Sequence, residues 1–348
     1  MPRITAPAGK GGPQRPQNIH ELAKLAGVSA ATVSRALAGT GKVSQATRER
    51  IRKLAAEHDF QPSTMARNLR TGRTGTIGVI VPLGHEKTQH LSDPFFMTLL
   101  GHIADRLADR EYDLLLSRVV PSDPSWLRQL VDSGRVDGMI VIGQSNQAEV
   151  IDSVAQSYSP LVVWGAQMPG QRYCSVGSDN RLGGRMAAEH LLERGCRRLA
   201  FFGDPSVPEV EQRLQGFREA LREFGQGAVS ANLPVHFVPE KAIEEISGFL
   251  DLAESLDGIF AMSDTIGMMA VQALVERGRQ VPKNVKVIGF DDLDVARRTL
   301  PPLSSIRQDL EAGADALVDL VFRRMRGEET NSVTLKPTLT ARASTGDG

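Results

Sequence analysis

Seven short apolar runs recur between residues 77 and 290, and they set the fold of most of the chain. They are residues 77–81 (IGVIV), 114–116 (LLL), 139–142 (MIVI), 161–164 (LVVW), 199–202 (LAFF), 259–262 (IFAM) and 285–290 (VKVIGF). Longer stretches of helical character separate them: residues 95–110, 181–194, 213–224, 265–277 and 309–326. Apolar strands that alternate with amphipathic helices bury both faces in parallel α/β sheets. The run is too long for one sheet, so two α/β lobes are expected. In open parallel sheets ligands sit beyond the strand C-termini. Those ends are Pro82 onward, residues 164–167, 203–208, 263–264 and 291–292.

The first 74 residues have another texture. In IHELAKLAGVSAATVSR, residues 19–35, Leu22, Ala23 and Ala26 share one helical face, and Gly27 can stop that helix in a left-handed conformation. Val28 follows as an apolar plug. Ser29 suits the N-cap of a second helix with Val33 and Leu37 inward. Ser44 suits the cap of a third, carrying Ile51, Leu54, Ala55 and His58 at helical spacing, so that a three-helix core closes on Leu22, Val28, Val33 and Leu37. Two short helices joined by a glycine turn form a helix-turn-helix, whose second helix fits the DNA major groove. The string GTGK has neither the upstream glycine nor the strand of a phosphate-binding loop. In residues 61–73, Pro62 breaks the third helix, and Met65, Ala66 and Leu69 share one side of a helix too short to be stable alone in water.

Charge agrees with this division. The 348 residues carry no net charge, yet residues 1–73 hold thirteen Lys/Arg against four acidic residues, an excess of +9. A basic end on an acidic body suits a polyanionic partner for the small end alone. Residues 1–17, rich in Pro, Gly and Gln, read as a disordered tail with no apolar signal segment. No apolar run approaches the roughly 20 residues of a membrane span. Cys174 and Cys196 form neither metal spacing nor a disulfide framework. A reduced, cytoplasmic setting, with no metal and no cofactor, is expected.

At the strand ends, Arg213, Ser263, Asp264 and Asp291 offer short or forked hydrogen-bonding groups. Carboxylates accept hydroxyls and arginine donates in a fork. With an aromatic platform from Phe95, Phe96 or Trp164, that chemistry suits a polyhydroxylated ligand such as a sugar. Taken singly, Asp264 is equally a helix cap, Asp291 a strand end and Phe95 or Phe96 core; clustering at strand ends favours a cleft. No G-x-G-x-x-G follows a strand, and no Ser/His/Asp ordering or metal cluster appears, so the pattern does not indicate an enzyme.

These motifs resemble those of the LacI/GalR family of bacterial transcription regulators, over about residues 18–343. The resemblance rests on IHELAKLAGVSAATVSRALAGTGKVSQATRERI, on PSTMARNLRTGRTGTIGVIVP, and then on SDPFF, VGSDN, RLQGFREAL, AMSDTIGMMA and VIGFDDLDVARRTLPPLSSIRQD. It implies an α-helical headpiece at 18–61, a hinge helix at 62–74, and a two-lobed α/β core like a periplasmic sugar-binding protein at 75–343. The first lobe is placed at 75–174 plus 306–329, the second at 175–303 plus 333–343, with three crossings between them. Family members are homodimers. The end of this chain has no heptads, so a dimer rather than a tetramer is expected.

By resemblance, Ser29, Ala30, Ala31, Thr32, Ser34 and Arg35 open the recognition helix. Thr32, Ser34 and Arg35 fit phosphate or base contacts; Ala30 and Ala31 offer apolar contact. Leu69 matches the hinge leucine that wedges into the minor groove, with Ser63, Met65 and Ala66 beside it. Phe95 and Phe96 match first-lobe ligand contacts, and Arg213, Ser263 and Asp291 second-lobe contacts. Asp179 and Asn180 lie near a crossing and serve either ligand or hinge. Two departures stand out: PLGHEKTQHL, between the first strand and SDPFF, is longer than usual, and Trp164 and Gly165 replace a commoner pair. The implied partners are double-stranded, pseudo-palindromic operator DNA and a mono- or disaccharide effector, with no membrane. The implied activity is repression of a carbohydrate-utilisation operon, relieved by the sugar. Corepression by a non-sugar effector such as a purine, or mixed activation and repression, are the other readings.

Overall fold

A computed structural model describes residue 16 and residues 18–37, 39, 41–60, 73–84 and 87–346. The chain divides into two compact units, Met1–Thr74 and Gly75–Gly348.

In the first unit, α1 (Ile19–Ala26) is capped by Asn18, whose side chain accepts the His20 and Glu21 amides at 3.0 and 3.1 Å. Gly27 ends it at φ 64°, a left-handed conformation that costs glycine little. Helix α2 (Ala30–Leu37) starts at Ser29, whose Oγ accepts the Thr32 amide at 3.1 Å. Helix α3 (Gln45–Glu57) starts at Ser44, which accepts the Thr47 amide at 3.3 Å. All three caps use short oxygen side chains on amides that no helix carbonyl can reach. The small core comprises Leu22, Ala23, Ala26, Val33, Ala36, Ile51, Ala55 and Phe60, with Val28, Leu37 and Leu54 half-buried against it. His58, expected inward, is instead the half-buried C-cap of α3, and Phe60 fills that place. The chain turns at Asp59 in a positive-φ conformation, which redirects the next residue inward.

The second unit holds two sheets. The first contains β1 (Thr76–Pro82), β2 (Asp113–Val119), β3 (Gly138–Ile142), β4 (Leu161–Trp164), β5 (Cys174–Ser178) and β11 (Val333–Leu335). Their order is β11-β5-β4-β3-β1-β2, all parallel. Helices α4 (Pro94–Ala108), α5 (Trp126–Asp132), α6 (Ala148–Ala155) and α11 (Leu310–Met325) cover it. The second sheet runs β12-β10-β9-β8-β6-β7, from β6 (Arg198–Phe202), β7 (Val229–Leu233), β8 (Gly258–Ala261), β9 (Lys286–Asp291), β10 (Ser304–Arg307) and β12 (Thr338–Thr340). Helices α7 (Asn180–Glu193), α8 (Pro208–Phe224), α9 (Pro239–Leu252) and α10 (Asp264–Glu276) flank it, over a core rich in Phe201, Phe202, Phe217, Phe260 and Phe290. Only β12 is antiparallel among the described strands of this sheet.

The chain passes between sheets after β5, after β10 and after β11. These crossings differ slightly from the sequence expectation. Residues 175–178 complete a strand of the first sheet, 306–307 complete a strand of the second, and 333–335 pair with β5 rather than with second-lobe strands. Burial alone does not distinguish two adjacent sheets, so the boundary could not be read from apolar pattern.

Helices α7 and α8 pack at backbone contact. A Cβ on Gly184 would lie 1.9 Å from the Arg213 carbonyl oxygen, and one on Gly216 would lie 1.8 Å from that of Arg181. Glycine at both positions is therefore required for this crossing, which fixes the place of Arg213.

Candidate functional site

In the headpiece, Ser29, Ala31 and Arg35 are exposed, and Ala30, Thr32 and Ser34 are half-buried. Ala31 and Arg35, one turn apart, form the outward edge of α2. The Ser29 and Thr32 hydroxyls lie 2.9 Å apart and bond each other, so both are partly engaged in capping. A contribution the sequence did not reveal comes from α3: an Arg50 Nη2 donates to the Ala26 carbonyl at 2.9 Å, closing the end of α1. Ser63, Met65, Ala66 and Leu69 lie outside the described residues.

In the core, a cleft opens at the C-terminal ends of both sheets, enclosing about 770 Å³ with its mouth included. Six of the eight sequence candidates line it: Phe95, Phe96, Trp164, Arg213, Ser263 and Asp291. Asp93 caps α4 by accepting the Phe95 amide at 2.9 Å, and so brings that ring to the cleft. Phe95 sits edge-on to Phe96 at 5.6 Å and tilted to Trp164 at 6.2 Å. Phe96 and Trp164 are mostly buried, so Phe95 is the more available ring. Trp164 is seated against α11 at Gly313, where a Cβ would come within 2.3 Å of the indole.

Arg213 is held on three sides. Its Nε donates to Asn180 Oδ1 at 2.9 Å, its Nη1 donates to the Met262 carbonyl, and its guanidinium lies 3.7 Å over the Phe290 ring. Among the described residues Nη2 has no hydrogen-bond acceptor, and Arg213 lines the cleft. Burial lowers the Arg213 pKa, and the nearby Asp291, Glu209 and Asp264 carboxylates oppose that shift. Asp291 accepts from Gln308 Nε2 at 2.6 Å and adopts φ 114°, a conformation that strains any residue with a Cβ. Burial pushes its carboxyl up to about 7 despite the adjacent Arg213. Ser263 caps α10 by accepting the Ile266 amide at 3.3 Å.

Asp264 and Asp179 do not line the cleft. Asp264 is fully buried behind it, accepting the Leu293 amide at 2.7 Å and the Ser305 hydroxyl at 2.6 Å. Burial and the neighbouring Asp291 raise its pKa well above the carboxylate range. Its position supports Asp291 from the rear. Asp179 caps α7 by accepting the Leu182 amide at 2.9 Å, while its own amide donates to Leu335. It therefore joins two of the crossings, and borders a separate recess with Gly165 and Thr334.

The cleft also contains groups that sequence reasoning did not select: Gln89, Asp93, Ser145, Glu209, Phe237 and Gln308. Glu209 precedes Arg213 by one helical turn in α8, a spacing visible in the sequence. Gln89 belongs to the long segment before SDPFF. Arg118 donates to the Lys87 and Gln89 carbonyls at 2.6 and 3.2 Å, so part of that segment packs over β2 as a cleft wall.

Comparison with known proteins follows this two-part organisation. Residues 18–63 match the family described as bacterial regulatory proteins, lacI family, and residues 188–345 match a periplasmic binding protein-like domain. The HTH-type transcriptional regulator CelR of Thermobifida fusca is 31% identical over 331 residues, covering 92% of this chain and 96% of that one. A solved CelR–cellobiose complex aligns with a TM-score of 0.67 and 28% identity over 94% of this chain and 100% of that one. The lac repressor dimer bound to operator and an anti-inducer shares the fold, with a TM-score of 0.83 at 22% identity over 95% of this chain and 99% of that one. An amino-terminal helix-turn-helix joined to a two-lobed binding core, together with this near full-length similarity, places the chain in the LacI family of bacterial regulatory proteins.

Proposed function

We propose that this protein is a cytoplasmic, homodimeric repressor that binds a pseudo-palindromic operator and releases it when a mono- or disaccharide occupies the cleft. The carrying observation is the convergence of Phe95, Trp164, Arg213, Ser263 and Asp291 from two lobes on one cleft. An apolar ring face with a guanidinium donor and carboxylate acceptors is sugar-binding chemistry. The cellobiose bound to CelR supports the same class here. The cleft binds rather than transforms its ligand.

The chain between the lobes supplies the hinge. Three crossings, at residues 178–180, 307–310 and 335–338, let the sheets rotate about the cleft. A ligand that touches both lobes favours one arrangement only by its differential affinity. Driving a 1:99 balance to 99:1 takes about 5.5 kcal/mol. In the dimer that balance decides whether two headpieces meet two half-sites together. Specificity comes from both heads in register with the Leu69 segment, because Ala30 and Ala31 read little by themselves.

Operator gel shifts with a sugar panel test the reading. A sugar that releases DNA is expected. If no sugar alters DNA binding, sugar induction is wrong; if one strengthens it, the effector is a corepressor. Leu69→Ala is expected to weaken specific binding sharply while leaving salt-dependent non-specific binding largely intact. Equal losses on both would remove the wedge role.

A further inference from the structure

Among the described residues, buried acceptors in and beside the cleft lack a donor. Glu209 stands in the first turn of α8, on the second lobe, and its carboxylate reaches the first lobe at the end of β4. Its Oε1 lies 2.9 Å from where a Gly165 Cβ would be, and Gln144 Oε1 lies 2.7 Å from the same point. The glycine at 165 is what admits both oxygens. Among the described residues the buried Glu209 Oε2 and the buried Oε1 atoms of Gln144 and Gln89 have no hydrogen-bond partner, while the Ala166 and Gln144 amides lie near enough to the Glu209 carboxylate to oppose the rise in its pKa. Gln89 is 5% exposed and Gln144 fully buried, and Gln144 already spends its Nε2 on the Ala166 carbonyl and the Tyr173 hydroxyl, both at 2.6 Å.

Charge points the same way. Among the described residues the cleft walls carry three carboxylates, Asp93, Glu209 and Asp291, against one guanidinium, Arg213. Burial raises the pKa of all three acids, so bringing in another anion is costly. An amide can turn to present its nitrogen, but an ionised carboxylate only accepts. In its ionised form Glu209 therefore needs a donor from the ligand.

We propose that Glu209 is a specificity-determining residue: the ligand places a hydroxyl or ammonium donor on its Oε2, and sugars bearing a phosphate or carboxylate are turned away. This rests on the sugar-binding reading of the cleft, and names the charge class that the cleft accepts. A ligand that satisfies both Glu209 on the second lobe and Phe95 on the first bridges the lobes, so the discrimination falls on the contact that favours closure.

The test is calorimetric titration of the full chain with cellobiose, ribose, glucosamine, the glucosamine disaccharide, glucuronate and glucose 6-phosphate. Neutral and amine-bearing sugars are expected to bind, and the two anions to bind more weakly by about tenfold or more. Glu209→Gln should weaken the best neutral or amine binder by about tenfold and shrink its margin over the anions, with Glu209→Asp recovering part of both. An unchanged circular-dichroism spectrum and melting midpoint show that the variants fold. An anion binding as tightly as its neutral counterpart, Glu209→Gln leaving the margin unchanged, or no binding across the panel would each overturn the proposal. Gel shifts report separately: a neutral sugar that binds without releasing DNA removes induction and leaves the donor requirement standing, whereas an anionic inducer does the reverse.

Discussion

Asp291 combines a strained backbone with a buried carboxyl held at about pKa 7. Groups facing it are Arg213 from α8, Gln308 after β10, Asp93 before α4 and Asp264 from α10. An ordinary aspartate in the unfolded chain titrates near pKa 3.9, so between about pH 4 and 7 the folded state binds more protons at this site. The stability it contributes is thus present below about pH 4 and lost as pH rises towards 7. Urea unfolding of the wild type and Asp291→Asn across that range should show their stability difference falling with pH. A flat difference would remove the linkage. In the headpiece, Arg35 is exposed at the outer edge of α2. If it contacts phosphate, Arg35→Ala should weaken binding to all DNA sequences alike and reduce the salt slope by about one unit. Selective loss at one operator position would instead make it a base reader.

At the scale of elements, two contacts with glycine position groups that line the cleft. Gly216 lets α8 touch α7, and Gly313 lets α11 receive the Trp164 ring. Neither requires a positive φ, so alanine fails there on space alone. A Cβ at 216 meets backbone, which has little freedom to move. Gly216→Ala should destabilise the core by about 1–3 kcal/mol, measured by denaturant midpoint. Gly313→Ala presses on an indole that lines the cleft; it should weaken sugar binding as well as lower stability, and titration alongside melting checks this. A loss of stability with intact sugar affinity would detach Trp164 from binding. These devices were only partly legible beforehand. The strands and their flanking helices announced themselves by apolar pattern, and Ser29 and Ser44 by cap chemistry. The partners of Gly184, Gly216 and Gly313 lie about 30 or more residues away along the chain, beyond any local periodicity.

For the whole molecule, the division at Thr74–Gly75 separates a small headpiece core, half of it alanine, from two extensive α/β cores. A small core buries little surface to offset chain entropy. Calorimetry should show the headpiece melting in its own transition at lower temperature. Operator DNA should raise that transition, and a cleft-binding sugar should raise the core transition by mass action. One cooperative transition moved equally by both ligands would argue for a single folding unit. No helix among the described residues is long and apolar enough to cross a membrane.

The sequence by itself determined the two-part organisation, the helix-turn-helix and six of the residues that line the cleft, because these depend on periodicity, capping and short motifs. Only the tertiary structure decided which carboxylates face the cleft. Asp264 and Asp291 are alike as strand-end acids, yet one is bonded to Leu293 and Ser305 behind the wall and the other borders the cleft. Asp179 was drawn to a crossing because its carboxylate caps α7 and its amide pairs with β11. Glu209 gained its importance from Gly165 and Gln144, which stand on the opposite lobe and are brought to it by three chain crossings. A side chain's chemistry is written locally, but its solvent, its partners and hence its charge state are set by what the fold packs against it.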